Sequence, residues 1–235
     1  MSNGNVHSAV LVHAAWFDGS SWTRVIAALH RRGFKVDAVQ LPLTSFADDV
    51  AALRRVLRRQ RGPVVLVGHS YGGAVMTAAG AGDANVRALV YVAAIVPDEN
   101  ETVGEVFTRA APHPRAPSLN PDADGLLWVT QADFRNAVAQ DAAEHEASIM
   151  AATQKPISVA CLGEKMTKPA WREKPSWFLI AENDRMVAPE TQRFLAKRMK
   201  STVVAIPSDH LPLASQADAV ADLVIAAAQS LVSSS

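Results

Sequence analysis

The chain has 235 residues, 49 % apolar and 20 % charged, which suits one globular domain large enough to bury a substantial core. Lys and Arg (23) balance Asp and Glu (23), so no whole-chain attraction draws it to nucleic acid or to an anionic membrane. Its single cysteine, Cys161, excludes an intrachain disulfide.

Residues 1–7 are polar and lack the basic flank and apolar stretch of a signal peptide. The longest apolar runs, such as 88–97, are too short to span a bilayer, and a cytoplasmic protein is expected. Residues 8–13 (SAVLVH) read as a buried strand. Residues 21–32 read as a helix with Trp22, Val25, Ile26 and Leu29 on one face and Gly33 as its stop. The next strand spans 35–41. Ser45, with Asp48 three residues on, resembles a capping box. The helix it opens carries Val50, Leu53, Val56 and Leu57 on one face, and Arg54, Arg55, Arg58, Arg59 and Arg61 read as its solvated side. Gly62-Pro63 breaks that helix. Val64 to Val67 then forms a near-continuous apolar run, typical of a parallel strand covered on both faces. A helix over about 71–79 and a strand over 88–94 follow.

The rhythm then fails. Residues 97–175 are rich in Pro, Ala and charge, with weaker helical patches near 101–109, 131–140 and 142–152. This is too long for an ordinary connection and reads as an insertion. The pattern returns with a strand at 176–181 (SWFLIA), a helix over 189–200 and a strand at 202–206. Ser215 is expected to cap a terminal helix with Val220, Leu223, Val224 and Leu231 inside, and 233–235 to fray. Six strands with intervening helices predict an α/β protein with a doubly wound, six-stranded parallel sheet. The core is expected at 1–96 and 176–235, with 97–175 as a small helical cap. Such sheets bind ligands at the carboxyl ends of their strands.

The chemistry-bearing segment is VVLVGHSYGG, residues 64–73, where Gly68, Ser70 and Gly72 make G-x-S-x-G between a buried strand and a small-residue helix. That turn projects the Ser70 hydroxyl, and glycine two residues either side relieves the crowding. The backbone N–H of Tyr71 faces the place where an oxyanion would form, at a helix N-terminus. Ser70 needs a base. Of seven histidines, His210 lies in a loop just beyond a strand late in the chain, at the sheet's carboxyl edge. His69 is expected to point away from Ser70, and His13 to shape the loop after the first strand. The base needs an orienting carboxylate. Glu182 and Asp184 both follow the strand 176–181; spacing does not separate them, and loop position favours Asp184. A second oxyanion donor belongs in the loop 13–19. Trp16 and Phe17 there read equally well as core or as pocket wall. Cys161 has no positioned base in its surroundings and reads as non-catalytic.

LVHAAWFDGSSW (11–22), VGHSYGG (67–73), LIAENDRMVAPE (179–190) and Ser208-Asp209-His210 together resemble the α/β-hydrolase superfamily across nearly the whole chain. The likeness is greatest to its small esterase and hydroxynitrile-lyase branch and to bacterial relatives. The resemblance implies a triad of Ser70, Asp184 and His210, and oxyanion donors Ala15 and Tyr71. It also implies a cap at 97–175. The family often has His-Gly where this chain has His13-Ala14, and a Cβ there narrows the permitted backbone. Lyases of the branch carry threonine or asparagine after that histidine, and one type carries lysine after the catalytic one. Ala14 and Leu211 stand at those positions here.

The expected function is hydrolysis of a small, largely apolar carboxylic ester through an acyl-enzyme, with no cofactor and no metal. No nucleic-acid or membrane partner is expected, and either a monomer or a homodimer fits the sequence. The expected substrate pocket includes Trp16, Phe17, Trp128, Phe134 and Leu211, with Tyr71, Val129 and Met186 as further lining. The alternatives are a lyase or lactonase on the same fold, and a non-catalytic ligand-binding homologue.

Overall fold

A computed structural model describes residues 6–231. The readings made on residues 1–5 and 233–235 therefore lie outside the described residues. Strand β1 (Ser8–Val12) leads through a 3₁₀ turn into helix α1 (Thr23–Arg31), which ends at Gly33 in the left-handed region, φ 79°. Strand β2 (Lys35–Ala38) ends three residues earlier than the pattern predicts. Beyond it the backbone bonds to side chains instead of a ladder: Leu41 N–H donates to His13 and Leu43 N–H to Asp49. Helix α2 (Phe46–Leu57) starts at Ser45, whose hydroxyl accepts from Asp48 N–H. The Asp48 carboxylate takes the hydroxyls of Ser45 and Thr44, so only half of the box forms.

Strand β3 (Val64–His69), helix α3 (Tyr71–Ala79) and strand β4 (Val86–Val92) come next. The region 97–175 holds α4 (Val103–Phe107), β5 (Leu126–Leu127) and α5 (Gln131–Asp133), the last continuing into a π-helical turn, Phe134–Val138. Helix α6 (Glu144–Ala152) and β6 (Ile157–Ser158) follow. The antiparallel pair β5–β6 is not foreseen by the sequence, because two residues are too few to show a period. The core resumes with β7 (Ser176–Ala181), α7 (Pro189–Arg198) and β8 (Thr202–Ile206). Ser215 does not cap the last helix. It ends a short helix α8 (Pro212–Ser215), and α9 (Ala217–Ser230) begins after Gln216.

The six long strands form one parallel sheet in the order β2-β1-β3-β4-β7-β8. Every residue of β3 and β7 is buried, as expected of strands covered on both faces. The chain runs from β1 to one edge, returns beside β1 as β3 and then builds outward the other way. The direction of winding therefore switches between β1 and β3, where a crevice opens at the carboxyl ends. The loops after β1, β3, β7 and β8 meet there, and the site is built from them.

Candidate active site

The turn from β3 to α3 places Ser70 at φ 52° and ψ −121°. This is a left-handed conformation that costs a serine about 1–3 kcal/mol unless its surroundings hold it. Ser70 N–H donates to Val92 O (3.1 Å), and Ser70 O accepts from Gly73 N–H (2.9 Å) and Ile95 N–H (3.1 Å). The flanking glycines are steric requirements. A Cβ on Gly72 would sit 2.5 Å from Val12 O, and one on Gly68 2.7 Å from Gly72 O.

Ser70, His210 and Asp184 are nearly sealed from solvent, at 4 %, 2 % and 2 % exposure. His210 Nε2 lies 2.9 Å from Ser70 Oγ, and its Nδ1 lies 2.7 Å from Asp184 Oδ2. A carboxylate only accepts, so Nδ1 carries the proton and Nε2 is left to accept from the Ser70 hydroxyl. Asp184 Oδ1 also takes Met186 N–H (2.7 Å) and Val187 N–H (2.9 Å), and Oδ2 takes Gln192 Nε2 (2.8 Å). Gln192 has no signal in the sequence, yet its other bonds, from Ala181 N–H and to Val187 O, lock it beneath this carboxylate. Glu182 is instead paired with Arg193 at the surface. His69 Nε2 lies 2.6 Å from His210 O, so its ring is directed at the backbone of the other histidine. Complete burial holds the His69 pKa well below the ordinary value, and the neutral ring donates through Nε2.

In the loop after β1, Leu41 N–H donates to His13 Nε2 (3.0 Å), and His13 Nδ1–H donates to Ala14 O (2.8 Å). Burial lowers the His13 pKa to about 4 and keeps that tautomer neutral. The Ala14–Ala15 peptide is trans and planar, so the Ala15 N–H points away from the carbonyl that His13 holds. Ala14 is absent from the left-handed residues, so its Cβ calls for no strained backbone. Tyr71 occupies the first position of α3, where an N–H has no acceptor one turn back. Its phenol donates to Asp49 Oδ2 (2.6 Å), and that carboxylate also takes Leu43 N–H (2.8 Å) and lies 3.7 Å from Cys161 Sγ. Burial pushes the Cys161 thiol up to about 12, which keeps it protonated.

A cavity of about 40 Å³ opens beside Ser70. Ala15, Trp16, Tyr71 and His210 line it from the core side. Val103, Phe107, Leu119, Leu127, Ile157 and Leu162 close it from the region 97–175, and the sequence singled out none of them. Met186 lines it too. Trp16 is fixed there by its indole N–H, which donates to Leu127 O (3.0 Å). The other four expected pocket residues lie elsewhere. Phe17 and Leu211 line a separate groove of about 280 Å³ beside Ile149 and Met150. Phe134 is fully buried and packs its ring 5.6 Å from that of Phe17, as core. Trp128 is 47 % exposed, with its Nε1 donating to Asp122 (2.9 Å), because the short hairpin that the antiparallel Pro121–Leu127 bridge closes before Trp128 turns Leu127 inward and its neighbour outward.

The pattern of the alpha/beta hydrolase family matches residues 9–223. An alpha/beta hydrolase, nvfD, of Aspergillus novofumigatus is 28 % identical over 92 % of this chain and 94 % of its own length. A carbendazim hydrolyzing esterase of a Nocardioides species is 32 % identical over 44 % of this chain and 48 % of its own. A pyrethroid hydrolase from Sphingobium faniae has the same fold, with a TM-score of 0.80, 21 % identity, and coverage of 95 % of this chain and 98 % of that one. The chain belongs to the alpha/beta hydrolase family.

Proposed function

We propose that the protein is a carboxylic ester hydrolase that works through an acyl-enzyme on Ser70. The observation that carries the proposal is the hydrogen-bonded series Ser70–His210–Asp184 at the mouth of a small apolar cavity. His210 Nε2 takes the Ser70 proton as Oγ attacks the ester carbonyl, and Asp184 holds the imidazole in place and balances its charge. The backbone N–H groups of Ala15 and Tyr71 receive the oxyanion. His210 then returns the proton to the departing alkoxide, and water repeats the sequence on the acyl-Ser70 ester. Each step uses groups of this chain and calls for no metal or cofactor.

The substrate is a small, largely apolar ester. A water needs about 10–15 Å³ of such space, so 40 Å³ takes roughly three, the room of a short acyl chain. The region 97–175 acts as a cap that keeps water from the reacting carbonyl. The test is a panel of p-nitrophenyl esters of graded acyl length, run beside small lactones and amides with and without a chelator. Acetate to butyrate should be cleaved fastest, with turnover unaffected by chelation. Failure to turn over any ester, or a strict need for a divalent metal, would contradict the proposal.

A further inference from the structure

The region 97–175 also grips the two loops that carry Asp184 and His210. Within the π-helical turn Asn136 O accepts from Arg185 Nη1 (2.6 Å), and just after it Gln140 Nε2 donates to Asn183 O (2.8 Å). Asn183 and Arg185 are the residues either side of Asp184. The next residue, Asp141, forms a reciprocal pair with Asp209: Asp141 N–H donates to Asp209 Oδ2 (2.9 Å), and Asp209 N–H donates to Asp141 Oδ2 (2.9 Å). The other oxygen of Asp209 accepts from Leu211 N–H (2.9 Å). Asp209 and Leu211 flank His210, and Asp209 is only 1 % exposed.

The main chain at His210 thus has two anchors. His69 holds its carbonyl from within the core, and Asp141 holds the preceding residue from the insertion. Two facing carboxylates repel, and the repulsion is offset because each accepts a charge-assisted hydrogen bond from the other residue's backbone N–H. We propose that Asp141 is a positioning residue for His210, fixing the imidazole against Ser70 through its bond to the Asp209 backbone. This rests on the reading of His210 as the general base. Asp141 meets no substrate; it acts only through the loop it holds.

The position is open to test because Asp141 is itself exposed, so truncating it leaves no buried void. A 1 Å misplacement of a catalytic group costs up to about 10²-fold, and Asp141→Ala should lower kcat on p-nitrophenyl acetate roughly tenfold. KM should stay within about twofold, because the cavity lining is untouched. Labelling of Ser70 by a small phosphonate, whose cavity Asp141 does not line, should slow by the same factor. Asp141→Asn should restore most of both rates, since its amide oxygen still accepts from Asp209. Unchanged kcat in Asp141→Ala, a loss expressed only in KM, or a lower melting temperature with normal kcat would each overturn the proposal. A wild-type protein that neither turns over esters nor takes the label would instead remove the reading beneath it.

Discussion

Asp184 and Glu182 lie two residues apart after β7, yet one carboxylate accepts four hydrogen bonds in the interior and the other meets an arginine at the surface. Asp184→Asn cannot accept the His210 proton and hold its other donors in the same way. Steady-state kinetics should show a loss of about 10⁴-fold in kcat, against less than about twofold for Glu182→Gln. Similar losses in both variants would reassign the acid. The difference between these acids was only partly legible beforehand, because loop spacing does not set which way a side chain turns. Ser70 was legible, because the requirement for glycine on both sides is local and chemical. Gln192 was not: its work depends on α7 packing beneath the Asp184 loop, a contact that no local pattern records.

The core elements follow the sequence pattern closely, since β3 and β7 are buried on both faces and helices α1 and α2 keep an apolar stripe. Region 97–175 shows in the sequence as a break in the rhythm with three helical patches, but which of its faces turn inward does not. Its helices are short, and its hairpin places Leu127 against the cavity and Trp128 in solvent. Neither Trp128 nor Phe134 lines the cavity, whereas smaller residues such as Leu119 and Leu162 do. Phe107, at the end of α4, supplies an aromatic wall of the cavity. Phe107→Ala should extend the accepted acyl chain by several carbons, read from kcat/KM across the p-nitrophenyl ester series. Trp128→Ala should leave that profile unchanged. A changed profile in Trp128→Ala alone would mean that the hairpin turns its other face to the substrate.

Across the whole molecule, acid should weaken the fold in a defined window. His13 and His69 are fully buried and neutral, with pKa values depressed by desolvation, that of His13 to about 4 from 6.5. Between those values the unfolded imidazole binds a proton and the folded one does not. Stability is therefore present above about pH 6.5 and lost as pH falls toward 4, with His13 alone contributing about 2 kcal/mol between pH 7 and 5. Asp49 and Asp209, raised by burial, act in the opposite sense. The urea midpoint should fall between pH 7 and pH 5, and a flat or rising midpoint would contradict this balance. No helix among the described residues is long and apolar enough to cross a membrane. The proposed role of Ser70 as a nucleophile activated by His210 is tested by intact-mass spectrometry after reaction with a small serine-reactive phosphonate. A single adduct is expected on Ser70, absent in Ser70→Ala and formed orders of magnitude more slowly in His210→Ala. An adduct on another residue, or one formed equally fast without His210, would contradict it.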